Sequence, residues 1–444
     1  MFINFLLFIP ILSKIFNKID INEYTYDIKY NLTKNENNIL KKINGFYGLI
    51  GPNLKYDKID KLHDLLIGDG VIQGFFFKNS KITYIRKFID TKKVLFEKKN
   101  GKVINSFNNY IFLYILNELN IMKNMIGLSN TAFLNIENKI YTLYELDNPY
   151  LIDINFQNND IKTIKKIKIK NIDKISGHTK FINNIETIEY NLFKKYINYY
   201  QLSKNFEIIS EKKFKMNHIP LIHDFLVTDR KFILFDFPLK INIFNILNNK
   251  LPIELQKYNT YIYVYDKKRN IIENYKLEDS IYIFHFSECI EDNNFIKIYA
   301  SIYEKMDFID LNIKGKYRLI LINKKNKKVS IIKNNELEKY NLDFPVKYKK
   351  FIILKNIENN IINGFVICKK LSIFKKIILK NRFIKGEHVI IDIDKNPYIL
   401  CVSSEIDNKK SFITLININT DKIIEIPFYE DLNLGFHSTF IFDN

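Results

Sequence analysis

Four of the seven histidines stand in strand-like apolar surroundings: His178 in KISGHTKF, His223 in PLIHDFLV, His285 in YIFHFSEC and His437 in LGFHSTFI. Neutral imidazole is the commonest metal ligand, but a single histidine on an apolar stretch is more often a satisfied core residue. The four lie too far apart for a local zinc pattern such as HExxH, so a metal site would have to be assembled from distant strands. A radial fold does this readily, because every blade of a propeller sends one strand to the central axis. The three cysteines, Cys289, Cys368 and Cys401, show neither CxxC spacing nor a disulfide framework and read as buried apolar residues.

The elements that would position these histidines are short. From about Asn44 onward, β-branched and aromatic stretches alternate with polar turns, the period-two pattern of antiparallel strands. Hairpins are predicted at 74–88, 130–144, 260–275, 316–333, 351–368 and 412–427, with little helix between them. This pattern is that of a β-propeller or a large sandwich, and no sequence repeat marks individual blades. With 13 glycines in 444 residues, the turns must rely mostly on Asn, Asp and Lys. One segment breaks the rhythm. Between 105 and 128, Ile111, Ile115, Leu119 and Met122 fall at helical spacing, and Tyr110, Phe112, Tyr114 and Leu116 spread apolar surface around most of the circumference. Such a helix is buried against the body or lies in a lipid interface. Residues 1–12 are nearly all apolar but too short to span a bilayer, which leaves a targeting segment or an amphipathic arm over 1–20.

Composition sets further bounds. At 47% hydrophobic and 26% charged, the chain is too apolar for intrinsic disorder and can bury a sizeable core. Its net charge of +19 comes from lysines scattered along the whole length, with no dense block, so no specific nucleic-acid partner is expected.

The segments around the histidines resemble ordered blocks of the carotenoid cleavage oxygenases, the family that includes the retinal pigment epithelium retinoid isomerase. FYGLIGPNL at 46–54, LLIGDGVIQGFFF from 65, NTAF and TLYELDNPYLID within 130–153, SGHTKF, IHDFLVTDRKFILFDFPL, IFHFSECIED and the terminal GFHSTFIF follow the family's order over nearly the whole chain. The resemblance implies an all-β fold, a seven-bladed β-propeller with a dome of loops and helix over an axial metal site. It extends over 21–444 as one domain. The metal would be Fe(II), held by His178, His223, His285 and His437, with dioxygen and a hydrophobic polyene as reactants. Glu145 and Glu387 match carboxylates that accept the N–H of ligand histidines. Asp343 falls where the family has Glu, so it must reach about 1.5 Å further, one C–C bond, or act through water. Thr131 matches a threonine that restricts access to the vacant coordination position. The segment 105–128 lies where the family carries its membrane-facing patch, here Ile111, Phe112, Ile115, Leu116, Leu119 and Met122, which implies peripheral attachment to a membrane surface.

The chain also departs from the family pattern. Thr179 follows the first histidine in place of Pro, Ser287-Glu288-Cys289 stand after the third histidine in place of Ala-Asn-Ala, and the acidic turn expected after Glu387 is replaced by IDIDKNPYIL. The leading expectation is an Fe(II)-dependent dioxygenase cleaving a carotenoid or apocarotenoid. Isomerohydrolase or stilbene-type chemistry on the same fold is a second, and an inactive propeller that binds lipid or protein is a third.

Overall fold

The computed structural model describes residues 17–18, 23–53, 67–100, 102–103, 107–119, 121–122, 125–191, 194–242, 253–305, 314–358, 361–406, 410–430 and 432–443. The apolar run at 1–12 lies outside them. Seven antiparallel sheets of four or five strands make up a seven-bladed β-propeller. Blades two to six run outward in chain order from inner strands at Ala132–Ile136, Lys180–Phe181, Leu226–Val227, Tyr282–Glu291 and Leu342–Tyr348, with a separate two-stranded hairpin, Leu239–Ile241 and Ile253–Leu255, inserted in blade four. In blade seven both Arg382–Ile384 and Val389–Ile393 pair with the inner side of Asn396–Glu405.

Blade one closes the ring. The C-terminal strand His437–Phe442 pairs with Gly45–Pro52, in register from Ile50 opposite His437 to Gly45 opposite Phe442. The first and last segments of the propeller are thereby locked into one sheet, which closes the circle of blades. Neighbouring blades share apolar clusters. One spans blades three to five, with Phe232, Phe235, Ile262 and Ile298 fully buried, and another joins blades one and seven through Tyr47, Phe75, Leu400 and Ile413.

The repeat that the sequence hides lies in the turns. In the outer hairpins of blades two, four, five and seven, the last residue of the third strand is Asn155, Asp266, Asn323 or Asn417. Each side-chain oxygen accepts from a backbone N–H two or three residues on. Each turn also contains a left-handed residue, Asn159, Asn270, Lys327 or Asp421. The turn is built from Asn and Asp chemistry without glycine. Two-residue type I′ turns at Asn79-Ser80 and Asp394-Lys395 have both φ angles positive. The second of these is the loop that replaces the expected acidic turn.

Among the described residues three α-helices stand outside the blades: α1, Lys34–Leu40; α2, Lys92–Asn100; and α3, Phe107–Glu118. Helix α1 starts with a capping box in which Thr33 and Glu36 satisfy each other's backbone donors. Helix α2 buries Lys93 completely, its Nζ 2.7 Å from both Asp69 and Glu97. Helix α3 buries Tyr110, Leu113 and Leu116 against Met125, Ile126, Leu128 and Tyr144. Ile115, Leu119 and, just beyond the helix, Ile121 stay about half exposed or more. Leu116 therefore faces the body and not outward as expected. It is 3% exposed, and because the helix is apolar all round, hydrophobicity alone could not tell its two faces apart. Ile111, Phe112 and Met122 are half-buried. The three cysteines are free, with Cys368 and Cys401 fully buried.

Candidate metal centre

The four histidines meet on the axis because each sits where the chain enters an inner strand. His178 is two residues ahead of Lys180–Phe181, and His223 three ahead of Leu226–Val227. His437 is the first residue of His437–Phe442, and His285 lies within Tyr282–Glu291, where the register with the next strand shifts on both sides of Phe286. These bulges re-aim side chains that a regular pleat would alternate. One candidate ligand atom from each ring lies within 4.8 Å of the others. His178 Nε2 is 2.9 Å from His223 Nε2.

Carboxylates fix three of the rings. Glu145 Oε1 lies 3.3 Å from His223 Nδ1, Asp343 Oδ1 3.1 Å from His285 Nδ1, and Glu387 Oε2 3.2 Å from His437 Nδ1. This network assigns the proton to Nδ1 in each case and turns the Nε2 lone pair to the common centre. Burial, reinforced by the neighbouring rings, holds the His178 imidazole well below its ordinary pKa. Burial also lowers that of His285, against the pull of Asp343. Both rings are thus neutral, as ligation requires. Glu387 is held down at about 2: burial works against ionisation, but His437, Lys355 and the Ser438 N–H outweigh it.

The local sequence explains the fit. Gly177 precedes His178 where a Cβ would come within 2.8 Å of Glu145 Oε1 and the Thr131 methyl, so only glycine lets this turn approach the carboxylate. Thr131 donates to Glu145 Oε2 at 3.1 Å and to Asn130 Oδ1 at 3.2 Å. Asp343 needs neither a longer side chain nor a water. Its strand is bulged between Asp343 and Val346, and Phe344 adopts a left-handed φ of 55°. Asp343 also accepts from the Phe344 N–H at 2.8 Å and from Tyr303 Oη at 2.5 Å. Glu288 is paired with Lys347 at 3.0 Å.

Several residues of the site carry no mark in the sequence. Asp224 ties three blades together: it accepts from the Phe225 and Phe286 N–H groups and pairs with Lys180 Nζ at 2.6 Å. Its place beside His223 was its only signal. Phe344 stacks on His285 with ring centroids 4.8 Å apart, and Phe284 packs edge-on to His223. Tyr303 and Phe344 announce nothing by type or spacing. A cavity of about 480 Å³ runs along the inner strands next to the histidines, lined by Thr179, Lys180, Asp224, Phe225, Ser287 and Ser438 among others.

The residues present fit a metal ion. His285 Nε2 is buried and has no partner among the described residues, an arrangement that costs free energy unless an ion takes the lone pair. Four imidazoles with three carboxylates behind them suit a borderline divalent transition metal.

Fold and centre together define a seven-bladed propeller with a four-histidine site on its axis. Residues 35–371 match the family described as Retinal pigment epithelial membrane protein, and the chain belongs to that family, the carotenoid cleavage oxygenases. Among curated relatives, carotenoid 9,10(9',10')-cleavage dioxygenase 1 of Phaseolus vulgaris is 25% identical over 295 residues, 61% of this chain and 51% of the relative. The Arabidopsis thaliana protein of the same name is 23% identical over 307 residues, 62% of this chain and 55% of the relative. In these alignments the chain spans about half the length of the curated relatives it matches. Among solved structures, the cobalt-substituted apocarotenoid oxygenase of Synechocystis superposes with a TM-score of 0.75 at 14% identity, covering 96% of this chain and 97% of that one. The lignostilbene dioxygenase of Pseudomonas brassicacearum gives the same TM-score, identity and coverage.

Proposed function

We propose that this protein is an Fe(II)-dependent dioxygenase that cleaves a conjugated carbon–carbon double bond of a carotenoid or apocarotenoid. The observation that carries this is the ring of four imidazoles with carboxylates on three of them. Bound Fe(II) would supply the open-shell chemistry that lets dioxygen react with an alkene. The alkene and one dioxygen give two carbonyl products, each with one oxygen atom, so the balance needs no further reductant.

The protein's own part is positioning. Glu145, Asp343 and Glu387 hold the Nδ1 protons of His223, His285 and His437, so that each ring keeps its tautomer and orientation. Thr131 holds Glu145 in turn, and its methyl group fills the space above Gly177, which suits restriction of access beside the metal. Phe284 and Phe344 pack against His223 and His285 and help hold those rings in place. The cavity beside the histidines is lined by apolar side chains, among them Phe133, Phe225 and Phe286, together with the Lys180–Asp224 pair. Ile115, Leu119 and Ile121 form an exposed apolar patch by α3, which supports docking on a membrane that delivers an apolar substrate. Among the described residues no helix is long and apolar enough to cross a membrane.

A second reading, cleavage of a phenolic stilbene, is favoured by the equal likeness to lignostilbene dioxygenase. Protein loaded anaerobically with Fe(II) is incubated with apocarotenoids and stilbenes under ¹⁸O₂, and the products are weighed by mass spectrometry. One labelled oxygen in each of two carbonyl fragments is expected. An isomerised product without label would replace cleavage by isomerohydrolysis, and turnover retained in His223→Ala would overturn the mechanism.

A further inference from the structure

Lys355 is an anomaly behind the metal centre. It lies in the second strand of blade six, Phe351–Glu358, and is 1% exposed. Among the described residues its ammonium has no hydrogen-bond acceptor and no ion-pair contact. Its one partner is the face of Phe344, with Nζ 3.7 Å from the ring centroid. The same ring packs against His285, with centroids 4.8 Å apart. Phe344 thus touches both the ammonium and a ligand imidazole. A buried ammonium without hydrogen bonds is costly unless charge elsewhere offsets it.

The offsetting charges are the buried Asp343, on the neighbouring strand of the same blade, and the half-buried Glu387, between the strands Arg382–Ile384 and Val389–Ile393 of blade seven; both carboxylates act on Lys355. The other titratable groups facing it are neutral. Burial pushes the Cys401 thiol up to about 12 and His388 down to about 3. With the four imidazoles acting as neutral ligands, the three carboxylates and Lys355 leave a net charge of −2, which a divalent ion brings to zero. A trivalent ion would leave a buried positive charge, and without Lys355 the preference would reverse.

We propose that Lys355 sets the charge of this centre, so that the pocket matches a divalent ion and disfavours its trivalent state. Resting on the iron reading above, this makes Lys355 a positioning residue that acts through Phe344 and the field of its charge; it touches neither substrate nor metal. Lys355→Met keeps similar volume and removes the charge, whereas Lys355→Arg keeps the charge. The readout is the Fe(III)/Fe(II) midpoint potential of the loaded protein, measured with redox mediators. A buried unit charge separated from the centre by the Phe344 and His285 rings shifts such an equilibrium about tenfold at an effective dielectric near 20. Lys355→Met is therefore expected to lower the midpoint by about 59 mV, the tenfold equivalent for a one-electron couple, and Lys355→Arg to leave it in place.

The native protein provides a second test. Burial lowers the Lys355 ammonium to about 8 despite its carboxylate neighbours, so the native midpoint falls as pH rises through that value, and Lys355→Arg removes the fall. A Lys355→Met midpoint equal to the native one overturns the proposal. So does a native midpoint flat across about pH 8, whether or not the variants fold. Failure of the native protein to bind iron would refute the iron reading instead.

Discussion

Asp343 is the most informative single perturbation, because its substitutions separate charge from hydrogen bonding. Three buried donors converge on its carboxylate: His285 Nδ1–H at 3.1 Å, the Phe344 N–H at 2.8 Å and Tyr303 Oη–H at 2.5 Å. Asp343→Ala removes the acceptor from all three. At about 1–3 kcal/mol for each buried donor left unpaired, the folded state loses about 3 kcal/mol or more. Asp343→Asn keeps the shape. Its amide oxygen takes the position facing His285 and Phe344, and its NH₂ group donates to Tyr303 Oη, which can accept. Only the charge is then lost, and metal affinity falls about 10–100-fold, the usual effect of removing a ligand histidine's partner. The assays are anaerobic Co(II) competition against a chelator and thermal denaturation of the metal-free protein. Asn should weaken the metal with a small change in Tm, and Ala should lower both. Native metal affinity in Asp343→Asn, or a native Tm in Asp343→Ala, would refute this reading of the site.

Three other outcomes follow from the same structure. Glu387 has its folded pKa held at about 2 against an ordinary 4.5, so it contributes stability above pH 4.5 that is lost as pH falls toward 2. The shift is worth about 3 kcal/mol, and Glu387→Gln should flatten the acid limb of metal-free stability measured by denaturation. Lys93→Met leaves Asp69 and Glu97 buried without their shared cation and should cost about 3–5 kcal/mol in the same assay; an unchanged Tm would mean the triad is solvated. Ile115→Glu with Leu119→Glu should reduce flotation with anionic liposomes while leaving Tm unchanged, whereas Leu116→Glu should lower Tm by placing a charge in the core beneath α3. Equal liposome binding by the native and doubly substituted proteins would remove the membrane from the proposal.

The chemistry of the site was more legible in the sequence than its support. The histidines stand in strand-like apolar runs, and the blocks around them carry the family's order, so the ring and its three carboxylates could be named residue by residue. The blade number came from that resemblance, since the structural repeat is an Asn or Asp side chain closing an outer turn, a signal shared with any β-protein. Two features were beyond reach for a physical reason. The bulge after Asp343, which brings a short side chain into contact with His285, is a backbone event at Phe344 with no glycine to announce it. The inward face of α3 was hidden because both faces of the helix are apolar, so Leu116 read as exposed although it is in the core. Lys355 reads as one of many scattered lysines until the fold places it behind Phe344.

The most direct measurement is the metal content of protein purified without chelator and loaded anaerobically with Fe(II), native beside His223→Ala. About one iron per chain in the native protein and almost none in the variant is expected from four imidazoles converging within 4.8 Å. Well-folded native protein that binds no iron would contradict the metal centre and leave a propeller that keeps the scaffold without its chemistry.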